Sequence, residues 1–148
     1  MRYLFVLLLL VGCGEVGKSI NNQPECSNID GLKVRTFDAV PESYTGVAFM
    51  CNEEKVHILK TYKKGKEDGV WKYWHFNGQL SSEFYHKNGK ADGLWRSWHD
   101  NGQLSYAINY REGKITDNEI LYYDKDGANF KTQYYQDGEY VKCEGDCD

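Results

Sequence analysis

His75 and His99 occupy equivalent places in two near-identical stretches of this chain, and paired imidazoles are a common beginning of a metal site. In a meander of antiparallel strands, equivalent positions lie two strands apart, about 9.5 Å. Zinc ligands sit about 2 Å from the metal, so the two rings would not share one ion. His86 falls near the opposite end of its hairpin. The expectation is therefore no metal and no cofactor, with His75 and His99 flanking turns. Asp68 and Asp92 recur just before glycine and read as turn formers. The chain contains no Gly-x-Ser-x-Gly, no His-Glu-x-x-His and no phosphate-binding glycine loop. No catalytic residue is assigned and an enzyme is not expected. Lys60, Lys63, Lys64 and Lys66 form a small basic cluster that could meet anionic headgroups. A solvated strand end and turn is the plainer reading.

The aromatic residues are the stronger candidates for binding. On strand periodicity Trp71, Tyr73 and His75 share one face; Val70, Lys72, Trp74 and Phe76 share the other. Trp95 and Trp98 likewise fall on opposite faces. One face can pack. The other can present a strip built from Trp71, Tyr73, Trp74, Trp95 and Trp98, with Tyr85, Tyr134 and Tyr135 as further contributors. Tyr and Trp are enriched at binding hot spots and also stack on sugars. The competing reading is that the rings stack on one another between repeats, because a thin sheet has no second layer.

Cysteine chemistry divides the chain. Met1 and Arg2 precede an apolar run over residues 3–11, too short for a membrane span, which needs about 20 residues. The run has the length of a secretory h-region and ends in Leu10-Val11-Gly12-Cys13. This ending resembles the bacterial lipobox. The resemblance implies cleavage before Cys13, lipid attachment at its thiol, and a membrane anchor outside the cytoplasm; two or more acyl chains give stable anchoring. Gly14 follows the lipid cysteine where some enteric bacteria use Asp to signal inner-membrane retention. That points to the outer membrane in a two-membrane cell. Cys26, Cys51, Cys143 and Cys147 remain, an even number suited to disulfides in an exported chain.

The elements that position these residues repeat. Gly69-Val-Trp-Lys-Tyr-Trp-His-Phe-Asn-Gly-Gln-Leu matches Gly93-Leu-Trp-Arg-Ser-Trp-His-Asp-Asn-Gly-Gln-Leu 24 residues later. A third copy spans residues 118–140, with one residue inserted within 114–118 and Asn118 in place of the repeat glycine; Asn tolerates positive φ next best. A degenerate first copy spans residues 46–68, with Glu53-Glu54 near the expected Asn-Gly. Each unit reads as a hairpin: a strand over residues 71–76, a type I′ turn at Asn77-Gly78, and a return strand over 79–86. Asn88-Gly89 begins a longer turn into the next unit. Units of this size stack into arrays.

The repeat, Gly-x-Trp-x-x-Tyr/Trp-x-x-Asn-Gly-Gln-Leu followed by Tyr-x-x-Gly-Lys-x-x-Gly, resembles the MORN-variant repeat that defines the YwqK-family antitoxins. The match is close over residues 69–113 and weaker over 118–140. Composition and the repeats predict an all-β fold, an elongated antiparallel meander of repeated β-hairpins; the resemblance implies an antitoxin- or immunity-like function, which the expected lipobox would place on a lipoprotein outside the cytoplasm. The expected layout is a signal peptide over residues 1–12, a lipid-anchored tether over 13–27, an N-terminal cap over 28–45 with a strand over 32–37, the repeat array over 46–141, and a cysteine-containing tail over 142–148. About eight strands at about 4.8 Å put the ends roughly 35 Å apart. A disulfide needs Cα atoms within about 7 Å. Local pairing, Cys26 with Cys51 and Cys143 with Cys147, is therefore expected; reduced thiols are the alternative.

The charge of −4, with 15 glycines and two prolines, agrees with a turn-rich β-chain and argues against nucleic acid as a partner. The leading expectation is a membrane-anchored, non-enzymatic protein-binding lipoprotein. The alternative is an envelope lipoprotein that binds cell-wall glycan through the aromatic strip, or serves a structural role.

Overall fold

The computed structural model describes residues 23–147. Cys13 and the rest of the expected lipobox lie outside the described residues. The first strand, β1, is Leu32–Lys33. The repeats then supply β2 (Gly46–Asn52), β3 (Lys55–Lys63), β4 (Lys66–Trp74), β5 (Leu80–Lys87), β6 (Lys90–Ala91) and β7 (Gly93–Trp98). They continue with β8 (Leu104–Arg111), β9 (Lys114–Ile115), β10 (Glu119–Tyr123), β11 (Asn129–Gln136) and β12 (Glu139–Gly145). All twelve form one open sheet in the order β1-β2-β3-β4-β5-β7-β8-β10-β11-β12, with β6 beside β5 and β9 beside β8. The expected all-β hairpin meander is borne out. The sheet is mixed, because β1 runs parallel to β2 while the pairs from β2 onward are antiparallel.

The two turn types are exchanged relative to the sequence reading. Lys87 pairs directly with Lys90, and both intervening residues have positive φ, 52° at Asn88 and 81° at Gly89. This two-residue loop has the signature of type I′. Lys64-Gly65, Glu112-Gly113 and Asp137-Gly138 repeat it. At Asn77-Gly78 only the glycine has positive φ. There Gly78 N–H donates to the His75 carbonyl and His75 N–H to the Gln79 carbonyl, so a three-residue type I turn closes on a left-handed glycine. Asn-Gly serves either turn, so the dipeptide alone does not decide between them.

Asn118 also departs from expectation: it does not take the positive φ of Gly69 and Gly93. The inserted residue gives the chain another route. Asp117 accepts hydrogen bonds from the Asn109 backbone and amide groups, whereas Asp68 and Asp92 each cap the following turn at Asn88 and Glu112.

At the N-terminal end, the strand expected over residues 32–37 shrinks to β1, and Phe37–Ala39 forms a turn of 3-10 helix capped by Thr36. Residues 23–26, expected within the tether, are docked on the sheet: Val56 N–H donates to the Pro24 carbonyl and Cys26 N–H to the Glu54 carbonyl. At the other end β12 takes residues 142–145 from the expected tail. The disulfides are Cys26–Cys51, with Cα atoms 6.3 Å apart, and Cys143–Cys147, at 6.0 Å. Both pairings are those expected. The first closes a loop of 25 residues, for which chain-entropy arguments give about 3 kcal/mol.

The core is small and sits under the type I turns at the N-terminal half. Phe49, Val56, Trp74, Leu80 and Trp98 cluster there, with Cys26, Ile29, Cys51, Leu59 and Leu104 packed around them. A single-layer sheet can bury only what its cap and its own side chains cover.

Candidate functional site

The face opposite that core carries a run of aromatic rings. Trp71 pairs across strands with Phe84, and Trp95 with Ile108, which puts Trp71, Phe84 and Trp95 on one side of the sheet. Phe84 lies 4.6 Å from Trp95, and Trp95 lies 4.6 Å from Tyr110. Tyr73 joins through Phe84 at 5.8 Å. His86 sits between the two indoles, 4.3 Å from Trp71 and 5.2 Å from Trp95. The run continues at Tyr106 and Tyr122, 5.6 Å apart. At its N-terminal end the Lys60 ammonium is held between two rings, 3.6 Å from the centre of Trp71 and 4.3 Å from that of Phe37.

These rings shield one another only in part, and their ionisation responds. Burial lowers the pKa of Lys60 and of His86. Burial raises the Tyr73 hydroxyl, with the Glu67 carboxylate adding to it. Tyr110 and Tyr122 are raised by burial and by their tyrosine neighbours. Trp71 Nε1 and His86 Nδ1 are buried without a hydrogen-bond partner, polar atoms that a one-layer face leaves uncompensated.

The structure divides the five candidate rings. Trp71, Tyr73 and Trp95 stand together in the strip. Trp74 and Trp98 are 3% and 6% exposed and belong to the core on the other face. Tyr85 and Tyr134 also face away from the strip, since Tyr85 pairs with Val70 and Tyr134 with Glu119. Tyr135 lies on the strip side and meets Tyr140 edge-on. Sequence reasoning missed Phe84, His86 and Tyr110. The signal was present: on a return strand opposite Trp71, alternate residues of Phe84, Tyr85 and His86 must share its face.

The core face holds a second polar feature. Glu83, 6% exposed, receives both Lys72, at 3.1 Å, and Arg96 from the flanking strands. His75 and His99 act structurally. Each ring Nε2 donates to a backbone carbonyl of the next unit, Trp98 at 2.9 Å and Tyr123 at 2.8 Å.

This architecture defines a class, the open array of stacked hairpins. The MORN repeat variant matches residues 67–88 and 91–112. That segment thus carries two copies of the MORN repeat variant, and the β-sheet extends the same hairpin pattern to both sides. No curated protein matches the chain.

Proposed function

We propose that the protein is a membrane-anchored, non-enzymatic protein-binding lipoprotein of the antitoxin- or immunity-like kind. One observation carries the reading: a continuous aromatic strip on a sheet face that, among the described residues, no second layer covers beyond Phe37 at its N-terminal end. Rigid aromatic rings supply large contact area at low entropic cost, and they dominate protein interfaces. The strip's rings are tilted at 42° and 44° to their neighbours. A flat sugar chain stacks best on coplanar rings, so the tilt favours a protein surface with its own relief. The lipobox sequence at Cys13 supports anchoring.

The test is in-cell cross-linking followed by partner identification, for the native protein and for Trp71→Ala with Trp95→Ala. One stoichiometric protein partner, lost in the double variant, supports the reading. Retention on purified cell wall, with no protein captured, would replace it with the glycan-binding alternative. Anchoring is tested separately: palmitate incorporation should disappear in Cys13→Ser, and unchanged labelling would remove the anchor from the proposal.

A further inference from the structure

Three of the four type I′ turns are docked on the chain before them by one repeated pair of hydrogen bonds. At the first turn, Lys64 N–H donates to the Thr45 hydroxyl at 2.9 Å and Gly65 N–H to the Tyr44 carbonyl at 2.8 Å. At the second, Asn88 N–H donates to the Asp68 carboxylate at 3.2 Å and Gly89 N–H to the Glu67 carbonyl at 2.8 Å. At the third, Glu112 N–H donates to the Asp92 carboxylate at 3.1 Å and Gly113 N–H to the Ala91 carbonyl at 2.7 Å. The two acceptors always belong to consecutive residues: a backbone carbonyl, then the side-chain oxygen of the next residue.

The fourth turn, Asp137-Gly138, has the same left-handed backbone, with φ of 54° and 83°. Neither of its two N–H groups has a hydrogen-bond partner among the described residues. The residue inserted before it gives the reason. Asp117, the counterpart of Asp92, turns back and accepts from the Asn109 N–H at 2.6 Å. The segment 114–118 passes beside the turn instead of capping it: the Ile115 carbonyl lies 3.1 Å from where a Gly138 side chain would begin. Between the third and fourth turns there is a cavity of about 630 Å³, against about 230 Å³ between the second and third. Lys90, Arg111 and Lys114 line the larger cavity together with Glu112, Asp137 and Gly138. This edge of the sheet is not basic, since Glu67, Asp68, Asp92 and Asp117 also lie along it. Its charge does not select a ligand; the backbone donors do. Glu112 shows this directly, because its N–H takes the Asp92 carboxylate in spite of its own acidic side chain.

We propose that the fourth turn binds an aspartyl peptide segment of a partner protein, with the aspartate carboxylate on the Asp137 N–H and the carbonyl of the residue before it on the Gly138 N–H. The chain itself identifies this occupant, because Glu67-Asp68 and Ala91-Asp92 present those two groups to the equivalent turns. Successive N–H groups of a turn form a concave donor pair suited to oxyanions. A carboxylate accepts a stronger hydrogen bond than a neutral oxygen does. A peptide that carries both acceptors at a fixed spacing also loses less freedom on binding than two separate groups. The site lies at the sheet edge and is independent of the aromatic strip.

The test follows the backbone amide signals of isotope-labelled full-length protein in detergent during titration with acetyl-Ala-Asp-Gly-amide, a copy of Ala91-Asp92-Gly93. The Asp137 and Gly138 signals should move together and saturate, with a midpoint on the order of 10 mM for so small a probe. The signals of Asn88, Gly89, Glu112 and Gly113, whose N–H groups are already bonded, should stay in place. Acetyl-Ala-Asn-Gly-amide has the same shape without the charge and should bind about fivefold more weakly or worse. Acetate has the charge without the preceding carbonyl and should leave Gly138 unmoved. Asp137 and Gly138 signals that do not respond up to about 100 mM peptide overturn the proposal. Equal responses to the asparagine peptide remove the carboxylate from it, and equal responses to acetate reduce the site to a general anion contact; either result overturns it. Shifts of the same size at Asn88 and Glu112 would do so as well, because the binding would then not distinguish the fourth turn from the others.

Discussion

The Nε2 of His75 lies 2.9 Å from the carbonyl oxygen of Trp98, and His99 repeats the contact 24 residues on with Tyr123, at 2.8 Å. Alongside it, the Asn77 amide donates to the Asp100 carbonyl at 2.5 Å and the Asn101 amide to the Lys125 carbonyl at 2.7 Å. Each type I turn is thus hung on the next one by side chains at fixed repeat positions. This is what a His-x-Asn spacing does here, and it gives the recurrence of the histidines a structural reason.

Replacing His75 or His99 with Ala should lower stability by about 1 kcal/mol, the net worth of a typical hydrogen bond. Denaturant unfolding measures it. Because each bond joins neighbouring units, the double variant should also broaden the transition as coupling between repeats weakens. A double variant with an unchanged midpoint and slope would show that the ladder contributes nothing.

The tryptophans should separate into two behaviours. Trp74→Ala and Trp98→Ala each leave a cavity in the core and should cost about 3–5 kcal/mol. Trp71→Ala and Trp95→Ala remove half-buried rings from the strip and should cost less while abolishing partner capture. Thermal unfolding and cross-linking on the same four proteins decide the matter. Equal destabilisation across all four would mean the strip is packing and nothing more.

Stability should fall in alkali. Burial, with the Glu67 carboxylate second, pushes the Tyr62 hydroxyl up to about 12, against about 10 in an unfolded chain. Between those values the folded protein keeps a proton that the unfolded chain has released, so stability declines as pH rises. Below about pH 10 the contribution is fully present. Tyr73, Tyr110, Tyr122 and Tyr135 are shifted in the same direction. Unfolding midpoints should drop from about pH 10 to about pH 12, and Tyr62→Phe should flatten part of that drop. A midpoint independent of pH over this range would contradict the burial of these hydroxyls.

The turn assignment has its own consequence. Glu112 holds a φ of 50° where Asn88 holds 52° in the preceding unit. Asn tolerates this left-handed conformation better than Glu. Glu112→Asn should therefore raise stability by a few tenths to about 1 kcal/mol, and Asn88→Ala should lower it by a similar amount. A Glu112→Asn variant less stable than its parent would place the turn in another class.

Much of this molecule follows from local rules. The 24-residue recurrence of glycine, tryptophan and Asn-Gly dictates hairpins, their antiparallel order and the array. Given an array with separated ends, the disulfide partners follow from distance alone. What the repeat cannot express is decided elsewhere. Asn-Gly is compatible with two loop types, and only the register of the flanking strands selects one. Trp74 and Trp71 differ by three positions, yet one is core and the other lies in the strip. Alternation assigns them to opposite faces, but the docking of residues 23–29 and the Cys26–Cys51 bridge determines which face is covered.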